Sequence, residues 1–401
     1  MSCLYFLINS LAGGGAEKVL LRLLDYIQPR RVFLVERDVE YRVNREILKV
    51  LSSHSKSTNP VIKTICIPLY AFRLSQEIQE DCIVLSFLER ANYVNIFSKV
   101  FKRHRAIISV RMDQLTGHVG VRRLNHLLSK LLYPRADLCV AVSCGVKESL
   151  LKLGIPEEKI KVIYNPYPVE EIQQKAKEEI EEVFKSFPYI ITAGRLTKPK
   201  GQWYLLRVFR ELKKDFPELR LLILGDGELK DYLYDLSQRL GLKTYLWDRD
   251  ELSENFDVYF LGFKENPFKY ISRAKLFVFP SLWEGFPNAL VEAMACGVCV
   301  VSSDCRSGPR EILAPDTDFR HQTDRPEFAR YGVLMPVFEV KYLQDEPLSL
   351  KEMVWVDTLR KLLEDDALRE DYSKRSKERA MDFHVNKIVQ EWRRVFDEVL
   401  R

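Results

Sequence analysis

Apolar runs too short for helices recur along the chain, at Leu4–Ile8, Val32–Val35, Ile83–Phe87, Ala106–Val110, Leu138–Val142, Ile190–Ala193, Leu221–Leu224 and Leu276–Phe279. Most are continuous rather than alternating, the pattern of strands buried on both faces, and stretches of helical spacing lie between them. The order predicts an α/β protein with parallel sheets wrapped by helices. A chain of 401 residues exceeds what one core comfortably organises, so two domains are expected. The break falls between Pro166 and Pro188, where Glu170–Lys185 is rich in Glu and Lys and carries little core signal. This gives an N-terminal domain over 1–167, a linker over 168–187 and a C-terminal domain over 188–385. A final amphipathic helix follows at 386–401, through Ile388, Val389, Trp392, Val395, Phe396 and Leu400.

The chemistry concentrates where these elements meet. Glu284 and Glu292 stand eight residues apart in Glu284-Gly285-Phe286-Pro287-Asn288-Ala289-Leu290-Val291-Glu292, just after the strand that starts at Leu276. Pro287 suits a first helical position and Gly297 a stop, so the amides of Asn288, Ala289 and Leu290 face whatever precedes the helix. Those donors and the helix dipole favour a diphosphate. Glu284 can then reach a hydroxyl beyond the phosphate, and Glu292, about one turn in, can accept from a ribose diol. By itself the pair also fits a solvated turn residue and a helix-surface charge. A second loop, Gly194-Arg195-Leu196-Thr197-Lys198-Pro199-Lys200-Gly201, follows the run Tyr189–Ala193. Arg195 can clamp two oxygens and Lys200 adds a point charge, both suited to a leaving diphosphate whose charge grows in the transition state. A third loop, Asn9–Gly15, sets three glycines between a strand and a helix, where backbone can approach a phosphate or sugar closely. It lacks the third glycine of the dinucleotide fingerprint. Glu36 nevertheless lies where a ribose-binding acid would, which keeps a dinucleotide oxidoreductase open.

Taken together, the E-x7-E pair, the Gly194-Arg195 to Lys200-Gly201 loop and the opening Gly14-Gly15-Ala16-Glu17-Lys18-Val19 resemble the retaining glycosyltransferases of the GT-B fold, in the GT4 group. The resemblance spans nearly the whole chain, running through Val140–Ser143, Lys161–Pro166, Leu222–Gly227, Phe260–Phe263 and Ser307–Glu311. It implies two Rossmann-like domains with parallel sheets facing across a donor-binding cleft, and a last helix that crosses back onto the first domain. It implies a nucleotide-diphosphate sugar as donor, expected to be a UDP-sugar, with Arg195, Lys200 and Glu284 as the catalytic set. Gly14, Gly15, Phe263, Asn288, Ala289, Leu290 and Glu292 then surround the donor. The family's front-face route, in which the leaving phosphate oxygen takes the acceptor proton, is compatible with the lack of an evident nucleophile. Many members carry a His after the strand that is Ile107–Val110 here; this chain has Arg111-Met112-Asp113. Arg111, or His118 seven residues on, becomes the acceptor-side candidate. A sugar-nucleotide epimerase of the same fold stays open as an alternative.

Two Asp-x-Asp pairs, Asp248 with Asp250 and Asp316 with Asp318, match a metal motif of the other large glycosyltransferase fold. Arg195, Lys200 and a helix N-terminus already answer the leaving-group charge, so neither a metal nor another cofactor is expected. The eight cysteines lie mostly in or beside apolar runs, and Cys296-x-x-Cys299 has no second pair or nearby His, which favours core packing over a metal site. The start lacks a basic segment ahead of its apolar run, and no apolar stretch is long enough to cross a bilayer; with the cysteine usage this points to a cytoplasmic protein. Net charge is only +5, but cations crowd the first half. Arg42, Arg45 and Lys49 share one face of a helix expected from about Val39, and Lys99–Arg105 mixes cations with apolar residues. Both suit an anionic membrane surface or a phosphate-bearing acceptor, with solvated helix faces as the alternative. The resemblance adds a saccharide acceptor on a polyprenyl-phosphate lipid, at the inner face of the membrane. No nucleic-acid-binding signature is present.

Overall fold

The computed structural model describes residues 3–41, 43–113 and 121–400. By contact the chain divides into two units, Met1–Tyr167 with Phe383–Arg401, and Pro168–Asp382. In the first unit, strands β1 (Leu4–Ile8), β2 (Arg31–Leu34), β3 (Leu48–Val50), β4 (Ile83–Phe87), β5 (Arg105–Val110), β6 (Leu138–Ala141) and β7 (Ile160–Val162) form a sheet in the order β3-β2-β1-β4-β5-β6-β7. Every pairing is parallel. The central strands are buried throughout, which is why their apolar runs do not alternate. The helix Val385–Leu400 packs on this sheet, with Ile388, Val389 and Trp392 in its core and the Trp392 ring 6.4 Å from that of Phe87.

The helix expected from about Val39 is absent. Val39 makes an isolated bridge to Leu11, Arg45–Ile47 is a single 3-10 turn capped by Asn44, and Leu48–Val50 pairs with β2 as the edge strand. Strand pairing outweighed the helical charge pattern, so Arg45 and Lys49 share no helix face; Lys49 instead pairs with Glu77 at 3.2 Å. Arg42 and His118 lie outside the described residues.

The second unit contains β8 (Tyr189–Ala193), β9 (Arg220–Leu224), β10 (Thr244–Leu246), β11 (Val258–Phe260), β12 (Leu276–Phe279), β13 (Val300–Ser303), β14 (Glu327–Phe328) and β15 (Val333–Met335), ordered β10-β11-β9-β8-β12-β13-β15-β14. Only the β14–β15 pairing is antiparallel among these strands. Ile190, Leu221, Ile223, Val278 and Val301 meet Trp203 and Phe209 of the helix Gln202–Asp215 and Trp355 of the helix Leu350–Glu364. Inside that core Arg207 pairs with Glu352 at 2.6 Å, and Glu352 also closes the capping box with Ser349.

Residues 168–187, expected as a linker, are built into the second unit. Val169, Ile172, Ala176, Ile180 and Phe184 are all buried, a stripe at helical spacing that the surrounding Glu and Lys residues hide from a count of charges. Phe184 packs edge-on against Tyr259 at 5.4 Å and Tyr270 at 5.8 Å, while the Tyr270 hydroxyl donates to Glu181. Phe184→Ala is expected to cost the second unit about 3–5 kcal/mol, measured from its denaturant unfolding transition; a loss below 1 kcal/mol would return the segment to linker status.

Candidate active site

In parallel sheets all strands end at one edge, and ligands favour the point where strand order reverses. In the second unit β8 has β9 on one side and β12 on the other, so the reversal lies between β8 and β12. The loops that follow these two strands carry Arg195, Lys200 and Glu284. They are locked together: Leu282 N–H donates to the Pro199 carbonyl at 2.7 Å, and Gln202 holds the Arg195 carbonyl at 3.0 Å. Lys200 lies across Gly194, its stem 3.5 Å from where a Cβ would stand, and its ammonium reaches Glu284 Oε1 at 2.5 Å and the Phe279 ring at 5.1 Å. The Glu284 side chain is 10% exposed, that of Lys200 23%, so the pair sits at the rim of the core. Arg195 is exposed, its guanidinium in no ion pair among the described residues.

The helix Asn288–Cys296 starts beside this pair, with Pro287 as its N-cap instead of its first residue, and Gly297 closes it at φ +75°. Leu290 N–H bonds to the Pro287 carbonyl at 3.1 Å, so Leu290 does not offer the free donor expected of it; the amides of Asn288 and Ala289 head the helix. Glu292, in the second turn, is buried, and its charge helps burial push the Cys296 thiol upward. Phe263, 69% exposed, stands just past the end of β11. Against the Gly285–Pro287 turn lies the loop after β13. There Gly308, at φ +96°, leaves no room for a Cβ, which would meet Pro287 Cδ at 2.4 Å. Ser307 before it holds φ +67°, and its buried hydroxyl has no hydrogen-bond partner among the described residues. Cys305 in the same loop has its thiol raised by burial and by the charge of Glu284. Nothing in the pattern of Ser307-Gly308-Pro309 singles out this strained serine.

The first unit repeats the layout. Its strand order reverses between β1 and β4, and the loops after them meet where Asn9 Oδ1 accepts from Ala91 N–H at 2.9 Å. Gly15 begins the helix Gly15–Leu24 with Gly14 as its N-cap. Beside them a cavity opens, lined by Asn9, Leu88, Glu89, Arg111 and Asn125 among others. Leu88 holds φ +73°, strain that in a leucine calls for a compensating role, and it presents Glu89, whose carboxylate accepts from Asn125 at 3.2 Å. Sequence reading missed Glu89 because a leucine gives no sign of a left-handed turn. Arg111, half-buried, donates to Asn165 at 2.5 Å and to Ser109 at 3.3 Å; desolvation lowers its pKa to about 10, so it stays charged at neutral pH.

These two switch-point sites can be compared with known proteins. Residues 13–171 match Glycosyltransferase Family 4 and residues 173–318 match Glycosyl transferases group 1. An N-acetylgalactosamine-N,N'-diacetylbacillosaminyl-diphospho-undecaprenol 4-alpha-N-acetylgalactosaminyltransferase of Campylobacter jejuni is 31% identical over 401 residues, covering 98% of both chains. An uncharacterized glycosyltransferase of Methanocaldococcus jannaschii is 32% identical, covering 86% of this chain and 87% of its own. The chain belongs to the group 1 glycosyltransferases. Among solved structures, Anabaena HepE in complex with UDP superposes with a TM-score of 0.74 at 20% identity, covering 99% of this chain and 100% of that one. Trehalose-6-phosphate synthase does so at 0.74 and 12%, covering 99% of both, and the fold is GT-B.

Within this glycosyltransferase the acid that kept a dinucleotide reading open is already engaged. Glu36 is buried between Lys63, 3.1 Å away, and Arg90. The Asp-x-Asp carboxylates are engaged too, Asp248 by Lys230 at 2.7 Å and Asp316 by Arg330 at 2.9 Å. Cys296 and Cys299 are buried, with the Cys299 thiol pushed up to about 12. Gly201 is the position on which the Lys200 geometry turns: its φ is +61°, and a Cβ would stand 2.4 Å from the Pro280 carbonyl. Gly201→Ala is expected to cost about 1–2 kcal/mol of stability from the backbone alone and to lower turnover by moving Lys200 from Glu284. Wild-type melting and turnover in this variant would contradict the locked-loop geometry.

Proposed function

We propose that the chain is a retaining glycosyltransferase that moves a sugar from a UDP-sugar to a saccharide carried on a lipid diphosphate, working at the cytoplasmic face of a membrane. The observation that carries the donor half is the convergence of Arg195, Lys200 and Glu284 on one strand-order reversal, next to the start of the helix Asn288–Cys296. Fixed cations and a helix N-terminus stabilise charge on a departing diphosphate more than on a bound one. In this reading Arg195, Lys200 and the Ala289 amide hold the diphosphate, Glu292 takes the ribose and Phe263 borders the base. Glu284, oriented by Lys200, takes a hydroxyl of the sugar, and the E-x7-E pair and Gly14-Gly15 loop act as they do in the resembled group. The leaving phosphate oxygen receives the acceptor proton, retaining anomeric configuration. The diphospho-undecaprenol in the name of the Campylobacter relative supports the acceptor class. The cavity with Glu89 and Arg111 offers a carboxylate for sugar hydroxyls and a cation.

A panel of nucleotide sugars with nucleoside diphosphate release as readout should single out UDP-sugars. Arg195→Ala and Lys200→Ala should each raise the barrier by about 2.7–4 kcal/mol, seen mainly in kcat; near-normal turnover in both would contradict the mechanism. Because cations and a helix dipole answer the leaving-group charge, EDTA should leave most release intact. Loss with EDTA, restored by Mn²⁺ or Mg²⁺, would contradict metal independence.

A further inference from the structure

The helix Ile67–Glu77 is apolar on two faces, whereas the short helix before it, Pro60–Ile65, buries Lys63 and turns its apolar residues outward. The inward face of Ile67–Glu77, with Tyr70 and Leu74, is buried. Outward, the pair exposes Ile62, Ile65, Leu69 and Phe72, Ile65 at 72%. Ile62 and Ile65 share a face of the first helix and Leu69 and Phe72 a face of the second, and together they make the exposed apolar surface of this helix pair. The surface continues into the turn after the helix Glu89–Ser98, where Val100 is 74% exposed and Phe101 packs edge-on against Phe72 at 5.5 Å. Single exposed apolar residues are ordinary on a surface; a contiguous patch of this extent marks an interaction face.

Its charge indicates what covers it. The cations that reach solvent on the two helices and on Lys99–Arg105 are Arg73, Lys99, Lys102, Arg103 and Arg105; Lys63 is buried against Glu36, and Glu77, which closes the second helix, pairs with Arg31 and Lys49. Arg73 and Lys102 donate to the carbonyls of Leu51 and Ile78 and are in no ion pair among the described residues; Arg103 pairs with Asp81, and Lys99 and Arg105 share Asp137. An apolar helix face bordered by cations matches the boundary between acyl chains and anionic headgroups. The same element faces the other way into the unit's cavity, which Thr64 and Ile67 help to line.

We propose that the pair of helices Pro60–Ile65 and Ile67–Glu77 seats the protein on an anionic bilayer, with the exposed apolar surface in the headgroup–acyl boundary and the cavity held beside lipid-borne saccharide. The role given to the cavity rests on the acceptor reading above; the docking face does not. It moves the membrane contact from the Arg42 and Arg45 region to an apolar surface, for which charge is the auxiliary term.

The test is co-sedimentation of the full chain with phosphatidylethanolamine vesicles, with and without phosphatidylglycerol. Wild type should bind, more tightly with phosphatidylglycerol. The double variant Ile65→Asp, Phe72→Asp should bind at least about tenfold more weakly, from the lost burial of two apolar side chains. Leu69→Asp should weaken binding in the same direction, and Leu350→Asp, at an 87% exposed site of the second unit, should leave it unchanged. Unaltered binding in the double variant overturns the proposal. So does a wild-type dimer in the absence of lipid that the same variant turns into monomer, which would make a second copy the occupant. Donor turnover with a soluble saccharide is read in parallel and should survive the double variant; its absence from wild type would count against the glycosyltransferase mechanism and not against the docking face.

Discussion

Backbone meets backbone at the strand ends of the second unit, and the candidate donor site depends on that contact. A Cβ on Gly225 would stand 2.1 Å from the Gly194 carbonyl, and one on Gly201 would stand 2.4 Å from the Pro280 carbonyl. No side chain fits at either place, so the loops after β8, β9 and β12 interleave through glycine alone. Arg195, Lys200 and Glu284 emerge from loops that cannot move independently. That rigidity lets a lysine and a glutamate 84 residues apart meet at 2.5 Å and suits a site whose charges must be in place before the leaving group departs.

The protein handles charge in two distinct ways. Glu36, Glu352 and Asp304 are buried and tied to cations: Glu36 to Lys63 and Arg90, Glu352 to Arg207, Asp304 to Arg310. Burial nonetheless raises the Asp304 carboxyl above its ordinary value. A buried carboxylate without such partners would be costly, so these pairs serve the fold. Arg195 and Lys200 differ: one is exposed and the other half-buried at a strand-order reversal. Glu284 is paired as Glu36 is, but with the single, more exposed Lys200 at the rim of the core, whereas Glu36 is enclosed by two cations.

What could be read from sequence was what is local in sequence. Continuous apolar runs revealed the buried parallel strands, and glycines beside cations revealed the loop at Gly194–Gly201. Leu48–Val50 was missed because an edge strand of three residues holding a Lys has too little apolar content to stand out from a helical charge pattern. The stripe from Val169 to Phe184 was missed because its buried residues are diluted by Glu and Lys. The Lys200–Glu284 pairing, the left-handed Leu88 that presents Glu89, and the strained Ser307 depend on tertiary contacts and strain that no neighbouring residue encodes. The exposed apolar surface of the helices Pro60–Ile65 and Ile67–Glu77 was hidden for a different reason: sequence shows that a residue is apolar, whereas only the fold shows which apolar face is left uncovered.

A crystal structure of the protein with an intact UDP-sugar tests the central claim most directly. The account places the diphosphate oxygens within hydrogen-bond distance of Arg195, Lys200 and the Ala289 amide, with a sugar hydroxyl on Glu284. A donor bound elsewhere, with its diphosphate away from the loops after β8 and β12, would contradict it.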